Sequence, residues 1–491
     1  MSATFDPEKD YYAVLGLSEE ADSEEIKRVY RNLARRYHPD SGNGDVDAFL
    51  QVQEAYEILG DSALRRDYDQ QRNQNIPFVC EPILSRMRLP ALETEQMLYL
   101  LLDIRSRQGL AAVRQPLNLA LVIDRSTSMR GVRIENVKLA ALDLVNSLQP
   151  KDRLALISFS DRAEVLMPST KLRNKVPFRS AISRLVPGGG TEIYQGLLAG
   201  LQEVRRHYIE SYINHVVLLT DGRTYGDESQ ALAEAHRASA QNIGISALGI
   251  GEDWNDVFLD DLARGGNGTS AYISTPSQVQ KILLGRVNEL SSIVARGLQL
   301  KLTLAPSVRL RSLSRVAPYL EMLDISAGES FPLGDLNGEP LMVLLELVVQ
   351  QPQTGEHHVV SLVLKGTGHL DGQPVYSHQS ISAQFVRGRL EQEPVPTRLL
   401  NALSHMSIFR LQERAWQALD SGDPAQATQL LKFASTQLLD MGHRELSRAA
   451  LLEAERVAQG GGATLGGRKK LRYGTRSLAI VPIKRSRGGR L

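Results

Sequence analysis

Residues 121–129 read LVIDRSTSM. Three apolar residues run straight into Asp124, and Ser126 and Ser128 follow at alternate positions. Alternate side chains of an extended segment point the same way, so three oxygen-bearing groups converge where the apolar run ends. Two later segments bring side chains of the same kind. PGGGTEI, 187–193, carries Thr191 to the start of a helical pattern, behind glycines that let the backbone turn tightly. LLTDG, 218–222, ends another apolar run on Asp221. Two carboxylates and three hydroxyls are hard oxygen ligands, suited to Mg²⁺, Mn²⁺ or Ca²⁺ rather than zinc. So few ligands leave positions for water or an incoming carboxylate. Asp124 and Ser126 taken alone read better as helix caps, but a cap does not account for Thr191 and Asp221 at later elements.

A second stretch, RRYHPD at 35–40, ends in His38, Pro39 and Asp40. It closes the pattern SEEIKRVYRNLARRY, 23–37, in which Ile26, Val29, Tyr30, Leu33, Ala34 and Tyr37 share one helical stripe. Lys27, Arg28, Arg31 and Arg35 fall on the opposite face, where they can attract an acidic partner over long range. Ser23 is the expected N-cap, and Pro39 stops the helix because the residue before a proline avoids helical geometry. A second periodic run, FLQVQEAYEIL at 49–59, can pair with the first as a helical hairpin.

The elements that must position these groups follow from the pattern of the whole chain. Its 491 residues suggest two to four domains, at roughly 100–200 residues each. A formal charge of +1 argues against the chain as a whole being a nucleic-acid binder. The single cysteine, Cys80, rules out an intrachain disulfide or a cysteine-rich zinc module. The first residues, MSATFDPEKDYY, are not a signal peptide, and no apolar run is long enough to span a membrane. These features lead us to expect a cytoplasmic protein.

Residues 10–69 read as a compact helical unit and 70–77, QQRNQNIP, as a polar linker. From 117 to 296 apolar strands (LNLALVID, RLALISFS, HVVLLTD, GISALGI) alternate with amphipathic helices, the last near 276–296. That alternation indicates a doubly wound parallel sheet covered on both faces. Strand-like segments at 78–115 and 297–390 are read as one β-sandwich into which the α/β domain is inserted, the N-terminal strands lying at its edges. Residues 396–459 are helical again, and 460–491 form a basic, Gly-rich tail. The tail is expected to be a mobile solubilising segment, unless LRYGTRSLAIVPI docks back as a strand.

Both chemical motifs carry family resemblances. DRSTS, Thr191 after GGG, and TDG resemble the metal-ion-dependent adhesion site of von Willebrand factor A domains, over about 117–296. The resemblance implies that Ser126, Ser128 and Thr191 contact the metal, that Asp124 and Asp221 hold it directly or through water, and that a partner's acidic side chain completes the shell. DYYAVLGL, IKRVYRNLARRYHPD, AYEIL and RRDYD resemble the J domain of DnaJ-type proteins in order and spacing, over 10–69. That resemblance implies a DnaK-type ATPase as partner, met by the basic face and the His38-Pro39-Asp40 loop. Two departures stand out. The second long helix, AFLQVQEAYE, lacks the lysines often found there, and neither a Gly/Phe-rich segment nor CxxCxGxG repeats follow. Client binding must therefore reside elsewhere in the chain. No Walker A, HExxH or GxSxG motif occurs. The resulting expectation is a non-enzymatic co-chaperone, with an assembly adaptor for a ring-shaped AAA-type ATPase as the rival reading.

Overall fold

The computed structural model describes residues 5–6, 9–17, 21–39, 45–73, 76–107, 114–224, 226–368, 372–388, 390 and 393–478. They fall into two compact units, one from Met1–Leu110 with Val294–Ala402 and one from Ala111–Ile293 with Leu403–Leu478.

Four helices open the first unit: α1 Tyr11–Leu15, α2 Ser23–Tyr37, α3 Val46–Leu59 and α4 Ser62–Asn73. Ile26 is buried, and Val29, Tyr30, Leu33 and Tyr37 pack beside it on a core of Tyr11, Tyr12, Leu15, Val52, Ala55, Leu59 and Tyr68. Tyr30 stacks on Tyr56 with ring centroids 4.0 Å apart, fixing α2 against α3. The N-cap of α2 is Asp22, not Ser23. The Asp22 carboxylate accepts from the Glu25 amide at 2.8 Å, while Ser23 is already helical. At the other end His38 leaves the helix for an extended ψ of 135°, as the following proline requires. α4 continues to Asn73, well into the 70–77 segment read as linker. Extending an existing helix fixes few dihedrals per hydrogen bond, so a polar run can follow without an apolar stripe of its own.

Three strands come next, β1 Phe78–Leu84, β2 Arg88–Pro90 and β3 Leu92–Ser106, and they pair with strands near the far end of the chain. Between these two sets the chain builds the α/β domain of the second unit. Its elements are β4 Leu117–Asp124, α5 Val132–Ser147, β5 Arg153–Phe159, β6 Ala163–Lys171, α6 Val176–Ser183, α7 Ile193–Arg206, β7 Ile213–Thr220, α8 Glu228–Ala240, β8 Ile243–Ile250, α9 Asp256–Gly265, β9 Ser270–Ile273 and α10 Val279–Ser291.

The sheet order is β6-β5-β4-β7-β8-β9, parallel except for β6. Every residue of β4 and β7 is buried, the reason their sequences run apolar without alternation. Leu119, Leu121, Ile134, Val137 and Leu283 fill one side of the sheet, and Ala120, Val122, Leu197, Leu201 and Leu259 the other. Successive strands depart in opposite directions from β4, so a crevice opens beyond the carboxyl ends of β4 and β7. The helix expected over 276–296 is shorter: 276–278 form a 3₁₀ turn and a strand has begun by Ala295.

The chain then completes the sandwich with β10 Ala295–Leu304, β11 Val308–Ala317, β12 Glu321–Leu323, β13 Ser330–Leu336, β14 Leu341–Gln351, β15 Gly355–Gly368 and β16 Pro374–Val386. Its sheets run β1-β3-β14-β11-β12 and β13-β10-β15-β16-β2 over a core that includes Leu100, Leu102, Leu300, Val343, Leu345 and Leu362. The α/β domain is thus inserted in a β-sandwich. Of the N-terminal strands, β1 and β2 lie at edges, but β3 is interior, bonded to β14 from Leu341 opposite Ile104 to Gln351 opposite Leu92. Its length and its apolar half, MLYLLLDI, suit a doubly paired strand.

Among the described residues four helices follow the sandwich: α11 Thr397–Asp420, α12 Pro424–Asp440, α13 Arg444–Ala458 and α14 Leu465–Arg476. Ile408, Trp416, Leu431, Leu438, Ala450 and Leu471 form their shared core. α14 corrects the reading of 460–491 as a tail, and of its LRYGTRS portion as a strand. Within the second unit, the Lys469 ammonium donates to the Glu252 and Trp254 carbonyls at 2.6 and 2.5 Å and lies 4.3 Å over the Trp254 ring. Arg472 reaches Asp256 at 2.8 Å, and Arg472 and Arg476 both reach Asp260, at 3.0 and 2.6 Å. Residues 479–491, with Lys484, Arg485, Arg487 and Arg490, lie outside the described residues. No helix among the described residues is long and apolar enough to cross a membrane.

Candidate metal and partner-binding site

Asp124 ends β4 and is fully buried. Its two carboxylate oxygens accept from the Ser126 amide at 2.7 Å and the Thr220 hydroxyl at 2.6 Å. Burial pushes the Asp124 carboxyl up to about 6, and the neighbouring Asp221 charge adds to the shift. Beyond β4 the chain enters a single 3₁₀ turn, Thr127–Met129. This turn brings the Ser126 and Ser128 hydroxyls to 2.9 Å of each other. Ser128 then donates to one oxygen of Asp221 at 2.7 Å, joining the end of β4 to the end of β7. Asp221 is likewise fully buried, whereas Ser128 is exposed at the rim.

Thr191 comes from the loop before α7, and that loop is tied down on several sides. The Thr127 amide donates to the Gly189 carbonyl at 3.0 Å, and the Gly188 amide to the Arg125 carbonyl at 2.7 Å. α7 approaches the sheet closely through two glycines. A Cβ on Gly196 would lie 2.6 Å from the Phe159 ring, and one on Gly200 would lie 2.6 Å from Val122 Cγ2. Thr191 thereby meets the chain just past Asp221, since a Cβ on Gly222 would sit 3.0 Å from Thr191 Oγ1. All five oxygen-bearing residues are brought to one end of the sheet, at the crevice beyond β4 and β7.

The sequence reading missed three residues here. Thr224 and Asp227 cap α7, accepting from the Ile193 and Tyr194 amides at 3.2 and 2.9 Å, and so lock the loop after Asp221 to the Thr191 loop. Their types suit caps, but nothing in their spacing points to a helix that precedes them in the chain. Arg133, in the first turn of α5, donates to the second oxygen of Asp221 at 2.5 Å.

The site's chemistry is that of an oxygen-rich cradle. Two buried carboxylates and three hydroxyls fit a hard divalent cation, and the raised Asp124 carboxyl marks a place where positive charge would be stabilising. No cluster of three or more His, Cys, Asp or Glu of metal-binding geometry occurs among the described residues.

In the helical unit, Lys27, Arg28, Arg31 and Arg35 are all exposed on α2. Arg28 pairs with Glu25 at 3.3 Å, an exposed contact of the kind that contributes roughly 0–1 kcal/mol. His38 and Pro39 are exposed, with the His38 ring edge-on to Phe49 at 5.4 Å. Asp40 lies outside the described residues.

Parallel strands in this order, a crevice at the switch point and a preceding helical hairpin with His-Pro define a von Willebrand A protein carrying a J domain. Residues 118–284 match the von Willebrand factor type A domain, 10–69 the DnaJ domain, and 397–480 the Sll0103-like C-terminal alpha-helical domain. The uncharacterized protein sll0103 of Synechocystis sp. is 30% identical over 379 residues, 75% of this chain and 90% of that one. The chain belongs to the Sll0103-like family. The likeness to the chaperone protein DnaJ of Halothermothrix orenii, 55% identical over 65 residues, takes in 13% of this chain and 17% of that protein. A solved von Willebrand factor type A structure from Catenulispora acidiphila shares the fold, with a TM-score of 0.65 at 18% identity, over 82% of this chain and 98% of that one.

Proposed function

We propose that the chain is a non-enzymatic, cytoplasmic co-chaperone adaptor. Its J domain recruits and stimulates a DnaK-type ATPase, and its A-type domain holds a partner or client by an acidic side chain through a divalent cation. The observation that carries this reading is the gathering of Asp124, Ser126, Ser128, Thr191 and Asp221 at one sheet crevice, in a chain that also bears a DnaJ domain. Ser126, Ser128 and Thr191 would hold the ion, with Asp124 and Asp221 beside them. When bound, the ion supplies a Lewis-acidic point for a carboxylate oxygen; Mg²⁺ is the expected occupant, with Mn²⁺ or Ca²⁺ as alternatives. The chain's own part is to fix that point. The Thr220 and Ser126 hydrogen bonds orient Asp124, and the caps on α7 hold Thr191 in place. The basic face of α2, with His38, Pro39 and Asp40, is the proposed chaperone contact.

Calorimetric titration with MgCl₂ tests the metal reading. Thr191→Ala should abolish most of the heat with little change in fold, because the side chain stands at the end of the sheet. Asp124→Asn should also lose Mg²⁺. Unchanged Mg²⁺ affinity in both variants would place the site elsewhere.

A further inference from the structure

Arg133 is out of place by the ordinary rules of helices. It occupies the first turn of α5, where the helix macrodipole disfavours a cation. What holds it there is acceptors. One guanidinium nitrogen donates to Asp221 at 2.5 Å and lies 3.4 Å from the Ser128 carbonyl. The other is 3.8 Å from Asp253, in the loop after β8, and packs on the Gly251 backbone, where an added Cβ would approach it to 3.3 Å. The two carboxylates differ sharply: the Asp221 side chain is fully buried, while that of Asp253 is 73% exposed. A guanidinium thus lies directly on one of the two carboxylates of the candidate metal site, with a second, solvated carboxylate within reach.

We propose that Arg133 is the resident counter-cation of this site: it competes with a divalent ion for Asp221, and lowers the site's affinity for that ion until a partner's carboxylate arrives. The inference rests on the metal reading above and adds its regulation. Buried Asp221 needs a positive neighbour, and Arg133 provides one when no ion is bound. An ion brought next to Asp221 meets the guanidinium's charge at close range, and that repulsion weakens its binding. A partner's carboxylate entering with the ion relieves it twice, by adding negative charge at the ion and by giving Arg133 another group to pair with. Metal and partner therefore bind with positive coupling, which is reciprocal.

The test is calorimetric titration of the full chain with MgCl₂ alone, in the wild type, Arg133→Gln, Arg133→Lys and Thr191→Ala, together with thermal unfolding in EDTA and in MgCl₂. Gln keeps a donor near Asp221 but removes the charge. It should raise Mg²⁺ affinity by about tenfold, the order expected for removing a unit charge close to a divalent ion. The same variant should melt lower than wild type in EDTA, because Asp221 loses its counter-charge, and gain more from MgCl₂ than wild type does. Arg133→Lys should stay within about twofold of wild type in affinity, the charge being kept. If Arg133→Gln binds Mg²⁺ no more tightly than wild type, or more weakly, Arg133 is not a competitor and the proposal is overturned. Equal heats from wild type and Thr191→Ala would instead remove the metal reading itself, whatever Arg133 does.

Discussion

Asp260→Asn should lower the stability of the second unit by about 3 kcal/mol, because it removes the carboxylate that Arg476 pairs with and one of the two that Arg472 meets. Asp260 lies on α9, its side chain 3% exposed, and accepts from Tyr473 at 2.5 Å and Ser270 as well as from Arg472 and Arg476. Burial by itself would raise its carboxyl, but the Arg476 and Arg472 guanidiniums outweigh burial and hold it below the ordinary range. The two arginine side chains are only 18–19% exposed, so water does little to replace the lost charge. Arg468→Ala is the control. Arg468 is on the same helix, with an exposed pair to Asp420 at 3.7 Å and its guanidinium 5.6 Å from the Trp416 ring centroid, and its loss should change stability by about 1 kcal/mol, well short of Asp260→Asn. The chain's two tryptophans, Trp254 and Trp416, both belong to this unit, so urea unfolding followed by tryptophan fluorescence reads it selectively. Equal midpoints for wild type and Asp260→Asn would mean that α14 is not docked in solution.

The second large effect lies at the other end of the chain. Asp40→Asn, or His38→Gln, should reduce stimulation of a DnaK-type ATPase to the unstimulated rate. His38 and Pro39 are exposed after α2, and four basic side chains are exposed on the same helix, so these residues are accessible to a partner. Neither His38 nor Pro39, nor any of the four basic residues, belongs to the apolar core that holds α2, α3 and α4 together, so the far-ultraviolet spectrum should stay unchanged. Reversing the charge of the face, as in Arg31→Glu, should weaken stimulation most at low salt, because long-range attraction is screened within about 10 Å at 0.1 M. Full stimulation by Asp40→Asn would move the contact to another surface.

What the sequence made legible was whatever repeats within one element. Buried parallel strands read as unbroken apolar runs and α2 as a stripe of period 3.6, but the reading of Asp124, Ser126 and Ser128 as alternate positions of an extended segment is wrong in its geometry: β4 ends at Asp124, and a 3₁₀ turn brings the two serines together. Elements with weak periodicity escaped: β6 is an antiparallel edge strand, AEVLMPSTK, with exposed residues on both faces, and α6 is a short helix. Contacts between distant residues escaped altogether. Lys469 is about two hundred residues from the carbonyls it binds, and its sequence surroundings, GGRKKLRYG, read as a solvated basic tail. Only the acids of α9 and the carbonyls after β8 make it a buried cation. Arg133 escaped for the same reason. Its role depends on Asp221 and Asp253, which β7 and β8 deliver to the place where α5 begins. The Asp22 cap was missed by a single residue, a distinction that depends on backbone angles rather than on residue type.

The central claim is that one chain couples a metal-held partner to a DnaK-type chaperone. Its most direct measurement is a three-component retention assay. The full chain is immobilised, loaded from extract with whatever protein it captures in MgCl₂, washed, and offered a purified DnaK-type chaperone with ATP. The bound chaperone is then quantified in MgCl₂ and in EDTA. The account predicts that EDTA releases the captured protein and cuts chaperone retention to the level of the unloaded chain, while ATPase stimulation in solution persists. It also predicts that Asp40→Asn keeps the captured protein but loads no chaperone. Undiminished capture and chaperone loading in EDTA would contradict it, and would show that the A-type domain does not select its partner through a metal.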